Sequence, residues 1–263
     1  MTETSERKVV VRIERSDGPG RAPRVEEFHV PWRKNANVIS VLMQIQRDPR
    51  TSDGKATTPP SWDAACLEEV CGSCTMNING KVRQACSALI DKLEQPITLS
   101  PMKKFPLLRD LSVDRSKMFE ALKRVKAWIP IDGTYDLGPG PRVAPEDQEL
   151  NYVLSTCMTC GCCLEVCPQV GEATAFIGAA AISQARLFNN HPTGEMNADE
   201  RLRALMGEGG VADCGKAGNC VQVCPKGIPL TSSIAEMARD TTKQALKDWL
   251  FRDERKGGAG PGG

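Results

Sequence analysis

Aromatic residues make up only 5% of this chain and it has two histidines, which leaves few candidates for base stacking or imidazole acid-base chemistry. No G-x-G-x-x-G or Walker sequence occurs, so the chain has no dinucleotide or phosphate cradle of its own. Its longest near-apolar run, Ala175 to Ile182, falls far short of the roughly 20 residues that span a bilayer. The first eight residues are polar and charged, without the apolar core of a secretory signal. Lysine and arginine total 34 against 33 acidic residues and are scattered, so the pattern is not a nucleic-acid footprint. Together these absences predict a soluble, cytosolic chain.

Cysteine is abundant, with twelve residues, and in a reducing compartment that number argues for metal rather than disulfides. Cys157, Cys160, Cys163 and Cys167 follow C-x2-C-x2-C-x3-C and precede Pro168. This is the bacterial ferredoxin run, in which three thiolates cap corners of one cube and the fourth ligates another cluster. A second run supplies Cys214, Cys220 and Cys224 before Pro225, with Ala217 where its second cysteine belongs. Exchanging the fourth cysteines assigns Cys157, Cys160, Cys163 and Cys224 to one cluster, and Cys167, Cys214 and Cys220 to the other. Four thiolates suit 4Fe-4S. Three suit 3Fe-4S at a higher potential, which makes a wire with a direction. Zinc knuckles also use C-x2-C pairs, but closed tetrahedral zinc sites do not predict the Cys-Pro endings. With no nucleotide cradle on the chain, electrons must come from another protein.

The N-terminal third carries a third cysteine group. Cys66-x4-Cys71-x2-Cys74 with Cys86 further on has plant-type 2Fe-2S spacing. Gly72 and Ser73 suit a tight loop that turns backbone N–H groups toward sulfur. Around it, residues 8–14 and 24–30 read as strands of a long-looped hairpin, and residues 38–47 as a helix capped by Asn37. Met76–Asn79 and Lys81–Ala85 flank an Asn-Gly turn, and Ile97–Leu99 gives a last strand. Beyond residue 105 the periodicity is helical: 116–128, 146–154, 173–188 with Gly178 as a close-approach point, 198–206, and 231–251 capped by Thr231 or Ser232. On the last, Ile234, Met237, Ala238, Thr241, Ala245 and Trp249 share a face. Gly138–Pro141 reads as a connector and the tail from Lys256 as disordered.

The expected fold class is α+β, an N-terminal β-grasp plant-type 2Fe-2S ferredoxin domain followed by a helical bacterial-ferredoxin-like domain with two cubane-type clusters. The boundaries fall at 1–105 for the first domain, 106–145 for a helical connector, 146–256 for the helical domain and 257–263 for the tail.

The three cluster segments in this order, with CGSCTMNINGKVRQAC at 71–86, FPLLRDLSVDRSKMF at 105–119 and CVQVCPKGIPL at 220–230, resemble the iron-sulfur subunits of succinate dehydrogenase and fumarate reductase. The resemblance spans nearly the whole chain. It implies a FAD-bearing flavoprotein partner at the 2Fe-2S end and membrane anchor subunits, with haem b, at the 3Fe-4S end. It places the chain on the cytoplasmic face of the cell membrane, relaying electrons from FAD through 2Fe-2S, 4Fe-4S and 3Fe-4S to a quinone. Succinate comes from the resemblance alone. Ubiquinone-linked members follow the helical domain's first Cys-Pro with a serine and a tryptophan pair, and place a histidine after the first cysteine of the last group. Here Gln169, Val170, Gly171 and Gly215 stand instead, which points to menaquinone. Pro168 is the one position retained as a quinone-site candidate. The arginines that flank the first 2Fe-2S ligand in the family are Ala65 and Leu67 here.

Three further residue types invite assignment. Using Cys162 in place of Cys163 gives a C-x-C gap too short for the ferredoxin loop, so it reads as a packed free thiol. His191 reads as a structural turn residue rather than a quinone or haem neighbour. Trp128 and Trp249 read as core or subunit-contact residues. Two other functions compete with succinate oxidation: a quinol:fumarate reductase subunit running the same parts in reverse, and a free electron carrier, for which a graded three-cluster wire has no use.

Overall fold

A computed structural model of the chain describes residues 7–129 and 142–251. The Gly138–Pro141 connector and the tail from Lys256 lie outside them. The described residues fall into two compact units, one within 1–117 and 158–166, the other within 118–157 and 167–263.

The first unit is built on a five-stranded sheet of order β2-β1-β5-β3-β4. β1 (Lys8–Arg15) and β2 (Arg24–Pro31) pair antiparallel, and β5 (Ile97–Ser100) joins β1 in parallel. β3 (Thr75–Ile78) and β4 (Lys81–Gln84) make the predicted hairpin, and Asn79 and Gly80 both take the left-handed φ, 49° and 75°, that its two-residue turn demands. Alternation on β1 sends Val9, Val11 and Ile13 into a core shared with Phe28, Met76, Ile78, Ile97 and Leu99. Across that core lies α1 (Val38–Arg47), burying Val38, Val41, Leu42 and Ile45 at helical spacing. Each such side chain contributes about 1.5–3 kcal/mol by leaving water. Asn37 caps α1 by accepting from the Ser40 N–H at 2.8 Å, and its Nδ2 donates to the Cys86 carbonyl at 2.8 Å. One cap thus ties the helix to the chain around Cys86, a candidate cluster ligand.

A short second ribbon, β6 (Leu107–Arg109) with β7 (Ser112–Val113), was not legible in the sequence. Its turn residue Asp110 is fully buried and accepts from Arg15 Nε at 2.8 Å, Ser16 N at 3.1 Å and Ser61 N at 2.8 Å. Arg15, also fully buried, spends its remaining donors on Glu26 and on Thr58 O and Oγ1. Pairing and full hydrogen bonding are what make two such charges tolerable inside.

The first unit also takes in Met158–Val166, a piece of the ferredoxin run that sequence order assigns to the helical half. Its short helix α4 (Cys162–Glu165) ends on Glu165, whose carboxylate accepts from Lys103 N at 2.8 Å, Lys104 N at 2.9 Å and Asn77 Nδ2 at 3.1 Å. These long-range bonds leave no local signature.

α2 (Ser116–Arg124) leads the chain into the second unit and stops four residues short of the predicted Trp128, because Lys126 turns left-handed at φ 49°. The carbonyls of Lys126 and Trp128 are taken by buried Arg201 at 3.0 and 2.8 Å. The rest of the second unit is helical: α3 (Pro145–Ser155), α5 (Gly178–Asn190), α6 (Ala198–Met206), the single turn α7 (Asn219–Gln222) and the long α8 (Leu230–Leu250). α5 begins at Gly178 rather than Ala173. Gly178 has φ 85°, so it opens the helix instead of sitting inside it, and Ile177 N bonds to Gly209 O. α8 starts after Pro229 with no side-chain cap, so neither Thr231 nor Ser232 plays that role. Its buried face is Leu230, Ser233, Ile234, Met237, Thr241 and Gln244; Ala245 and Trp249 lie on exposed turns.

Candidate iron-sulfur sites

The plant-type loop runs from Cys66 to Cys74 and is bent by three left-handed residues, Leu67, Glu69 and Gly72, with φ 61°, 56° and 70°. The bends turn N–H groups inward. Those of Glu68, Val70 and Cys71 donate to Cys66 Sγ at 3.4, 3.3 and 3.3 Å, and the Cys66 N–H donates to Cys71 Sγ at 3.5 Å. Hydrogen bonding from Ser73, helped by the Cys66 N–H, pulls the Cys71 thiol down to about 6. A loop that offers this many donors to sulfur is made for thiolates carrying a negative cluster. The hairpin supplies the other pair. Thr75 faces Gln84 across β3 and β4, and Ala85 N bonds to Cys74 O, so Cys74 and Cys86 emerge side by side. Both are buried; burial, then a hydrogen bond with Cys74, pushes the Cys86 thiol up to about 11. A thiol raised in this way loses its proton on binding a positive metal centre.

The two ferredoxin runs share a backbone. Thr159 and Gly161 have φ 50° and 87°; Lys216 and Gly218, at the same offsets in the second run, have 56° and 77°. Each loop then enters one helical turn, α4 or α7. The second run therefore keeps the loop form of a cluster binder although Ala217 replaces its second cysteine.

Cys167, Cys214 and Cys220 line one cavity that opens to solvent, and Ala217 lines it with them. Phe176, Ala179 and Ile234 close its apolar side. Burial, reinforced by the neighbouring Cys167 and Cys214, raises the Cys220 thiol. Three thiols and a methyl group around one cavity are a donor set for a three-thiolate cluster. At its edge Gln169 and Gly215 are coupled, because a Cβ on Gly215 would stand 2.6 Å from Gln169 Nε2. The amide occupies the space that a side chain at 215 would need.

Of the first run, Cys160 and Cys163 belong to the first unit and Cys157, like Cys224, to the second. Cys162 is 1% exposed and accepts from Gln84 Nε2 at 3.3 Å. Its own hydrogen bond to Cys160 and its burial push its thiol far up, while that bond brings Cys160 down to about 7. It therefore sits as a protonated donor behind Cys160. Among the described residues, no group of three or more His, Cys, Asp and Glu side chains is arranged to hold a single metal ion.

His191 ends α5, and its Nδ1 accepts from Thr193 N at 3.2 Å and Gly194 N at 3.4 Å, the bonding of a turn residue. Trp128 and Trp249 are 46% and 68% exposed, which leaves surface contact rather than core as their role. Sequence reasoning passed over Arg115. Its Nη1 donates to Gly72 O at 2.6 Å and its Nη2 to Ser73 O at 2.7 Å, both in the plant-type loop. Among so many scattered cations it had no local signal.

Residues 9–120 match the family described as a 2Fe-2S iron-sulfur cluster binding domain, and residues 152–228 match the 4Fe-4S dicluster domain. The chain is 61% identical to the succinate dehydrogenase iron-sulfur subunit of Bacillus subtilis over 92% of its own length and 95% of that protein's. It is 31% identical to the fumarate reductase iron-sulfur subunit of Wolinella succinogenes over 82% of this chain and 89% of that one. A chain of the Mycobacterium smegmatis Sdh1 complex in the apo form shares the fold, with a TM-score of 0.70 at 23% identity over 91% of this chain and 98% of that one.

Proposed function

We propose, from the premise that this chain belongs to the family of succinate dehydrogenase and fumarate reductase iron-sulfur subunits, that it holds three clusters on the cysteines named above. It is an iron-sulfur electron-transfer subunit of a succinate dehydrogenase, with the dicarboxylate chemistry elsewhere in the complex. Its partners are a flavoprotein and membrane anchor subunits. No helix among the described residues is long and apolar enough to cross a membrane.

Cys66, Cys71, Cys74 and Cys86 would hold 2Fe-2S, Cys157, Cys160, Cys163 and Cys224 would hold 4Fe-4S, and Cys167, Cys214 and Cys220 would hold 3Fe-4S. When bound, the clusters supply one-electron steps that carry electrons from the FAD of the flavoprotein toward quinone. The chain's own residues do the rest: inward N–H groups hold sulfur charge, buried Cys74 and Cys86 exclude water, and Ala217 denies the last site a fourth thiolate. The observation that carries this reading is the single cavity shared by Cys167, Cys214, Cys220 and Ala217. We assign the quinone as menaquinone, because Gly215 and Gln169 occupy the positions where ubiquinone-linked members carry a histidine and a serine. Pro168, which lines the same cavity, is our one candidate on this chain for a quinone neighbour. The complex sits on the cytoplasmic face of the membrane, with haem b in its anchor. Identity of 61% to a succinate dehydrogenase subunit, against 31% to a fumarate reductase subunit, favours succinate oxidation as the working direction.

Paramagnetic resonance and iron analysis of the isolated complex test the reading. Reduced protein should show a 2Fe-2S signal, oxidised protein a 3Fe-4S signal, and a menaquinone analogue should be reduced faster than a ubiquinone analogue. A complex kept from oxidative damage that lacks the oxidised-state signal rules out the three-iron assignment. A preference for ubiquinone rules out the menaquinone assignment.

A further inference from the structure

Two backbone segments of the first unit meet where Gly72 backs onto the ferredoxin run. A Cβ at Gly72 would stand 2.6 Å from Cys160 Cα and 3.0 Å from Met158 O, so the plant-type loop touches the chain at a ligand of the next cluster. Arg115 is the cation at this junction. It donates to Gly72 O at 2.6 Å, Ser73 O at 2.7 Å and Thr75 O at 3.4 Å, three carbonyls that bracket Cys74 and follow Cys71. Thr75 Oγ1 also donates to Gly72 O at 2.7 Å, and buried Gln84 bridges Thr75 Oγ1 to Cys162 Sγ, so hydrogen bonds continue from the clamped loop to the thiol behind Cys160.

We propose that Arg115 is a positioning residue shared by the first two cluster sites: its fork fixes the Gly72–Cys160 contact, and its charge raises the reduction potentials of both clusters. The inference rests on the ligand assignments proposed above. Burial lowers the arginine's affinity for its proton, while Asp63, Cys160, Cys74 and Cys162 act on it in the opposite sense, so its field reaches thiols of the plant-type loop and of the first ferredoxin run. Reduction adds negative charge to a cluster, and a nearby fixed cation favours that form. At an effective dielectric of about 20, a unit charge within about 10 Å changes such an equilibrium by more than a factor of ten.

The test is a potentiometric titration of the intact complex, followed by paramagnetic resonance, for Arg115→Gln, Arg115→Lys and Asp63→Asn. Arg115→Gln should lower the oxidised-to-reduced balance point of both clusters at least tenfold in equilibrium ratio, about 59 mV for one electron. Arg115→Lys keeps the charge and should stay within half of that shift. Asp63→Asn removes a carboxylate and should move the 2Fe-2S balance point upward through its own lost charge, so it serves as a control of opposite sign, and Arg115→Met, made alongside, decides the matter if Arg115→Gln does not load its cluster. An unchanged 2Fe-2S potential in Arg115→Gln, or in Arg115→Met where the first does not load, overturns the proposal and leaves the ligand reading standing, as does a lysine variant that falls as far as the glutamine one. A shift confined to the 2Fe-2S centre overturns the sharing. Wild-type complex without a 2Fe-2S signal overturns the ligand reading instead.

Discussion

At Gly72 a single hydrogen stands in for a side chain because the Cys160 backbone lies where a Cβ would go. Its φ of 70° adds a second reason for glycine. Gly72→Ala should therefore destabilise the protein by roughly 2–5 kcal/mol, the sum of a left-handed alanine and a backbone overlap. Gly80→Ala is the control: it has φ 75° and open space around it, so only the first part, about 1–2 kcal/mol, applies. Denaturant unfolding of the two variants should separate them, and equal losses would show that the loop moves away freely. Cys162→Ser should leave iron content and all three cluster signals in place, since a serine hydroxyl can still donate toward Cys160 and four other thiolates are assigned to that cube. Disappearance of the 4Fe-4S signal would make Cys162 a ligand. At this scale the spacing of cysteines was legible, because a cluster imposes gaps on the chain that holds it. Gly72's tight fit and the roles of Arg115 and Gln84 were not, since each depends on a partner that sequence distance hides.

Single elements were legible where a local rule decides them. Asn37 followed by Val38, Val41, Leu42 and Ile45 states a cap and a buried stripe, and α1 has those bounds. The Asn79-Gly80 pair states a two-residue hairpin turn. Elements went astray where a distant residue decides: α2 ends early and the carbonyls of Lys126 and Trp128 just past it go to Arg201, α5 starts late at a left-handed glycine, and the β6–β7 ribbon hangs on Asp110 and Arg15. The Asn37 cap also joins element to site, and two substitutions should separate the two roles. Asn37→Ala loses the cap and the bond to the Cys86 carbonyl, costing about 1–2 kcal/mol. Asn37→Asp keeps the acceptor for Ser40 N but turns a carboxylate toward that carbonyl. It should keep most of the helix stability while retaining less 2Fe-2S iron than wild type after mild chelation. If Asn37→Asp holds its iron as wild type does, the bond to Cys86 O has no part in the site.

For the whole molecule the question is what gives the proposed wire its direction. The proposed answer is the loss of one thiolate at its last station, on a loop whose backbone still has the ferredoxin form: Lys216 and Gly218 repeat the left-handed conformations of Thr159 and Gly161. Because the loop is intact, Ala217→Cys should place a thiol in the cavity already lined by Cys167, Cys214 and Cys220 without refolding the run. The variant should gain one iron per chain, lose the oxidised-state 3Fe-4S signal and acquire a reduced-state 4Fe-4S signal at lower potential. Lower potential at the end of the wire makes the step into that centre harder and the step on to menaquinone easier. Succinate-driven turnover should then slow while fumarate reduction by a low-potential quinol slows less, and the ratio of the two rates is the measurement that bears on direction. A variant that takes up the fourth iron and lowers the potential yet leaves that ratio unchanged would mean that direction is set elsewhere in the complex and that Ala217 fixes only the cluster's composition.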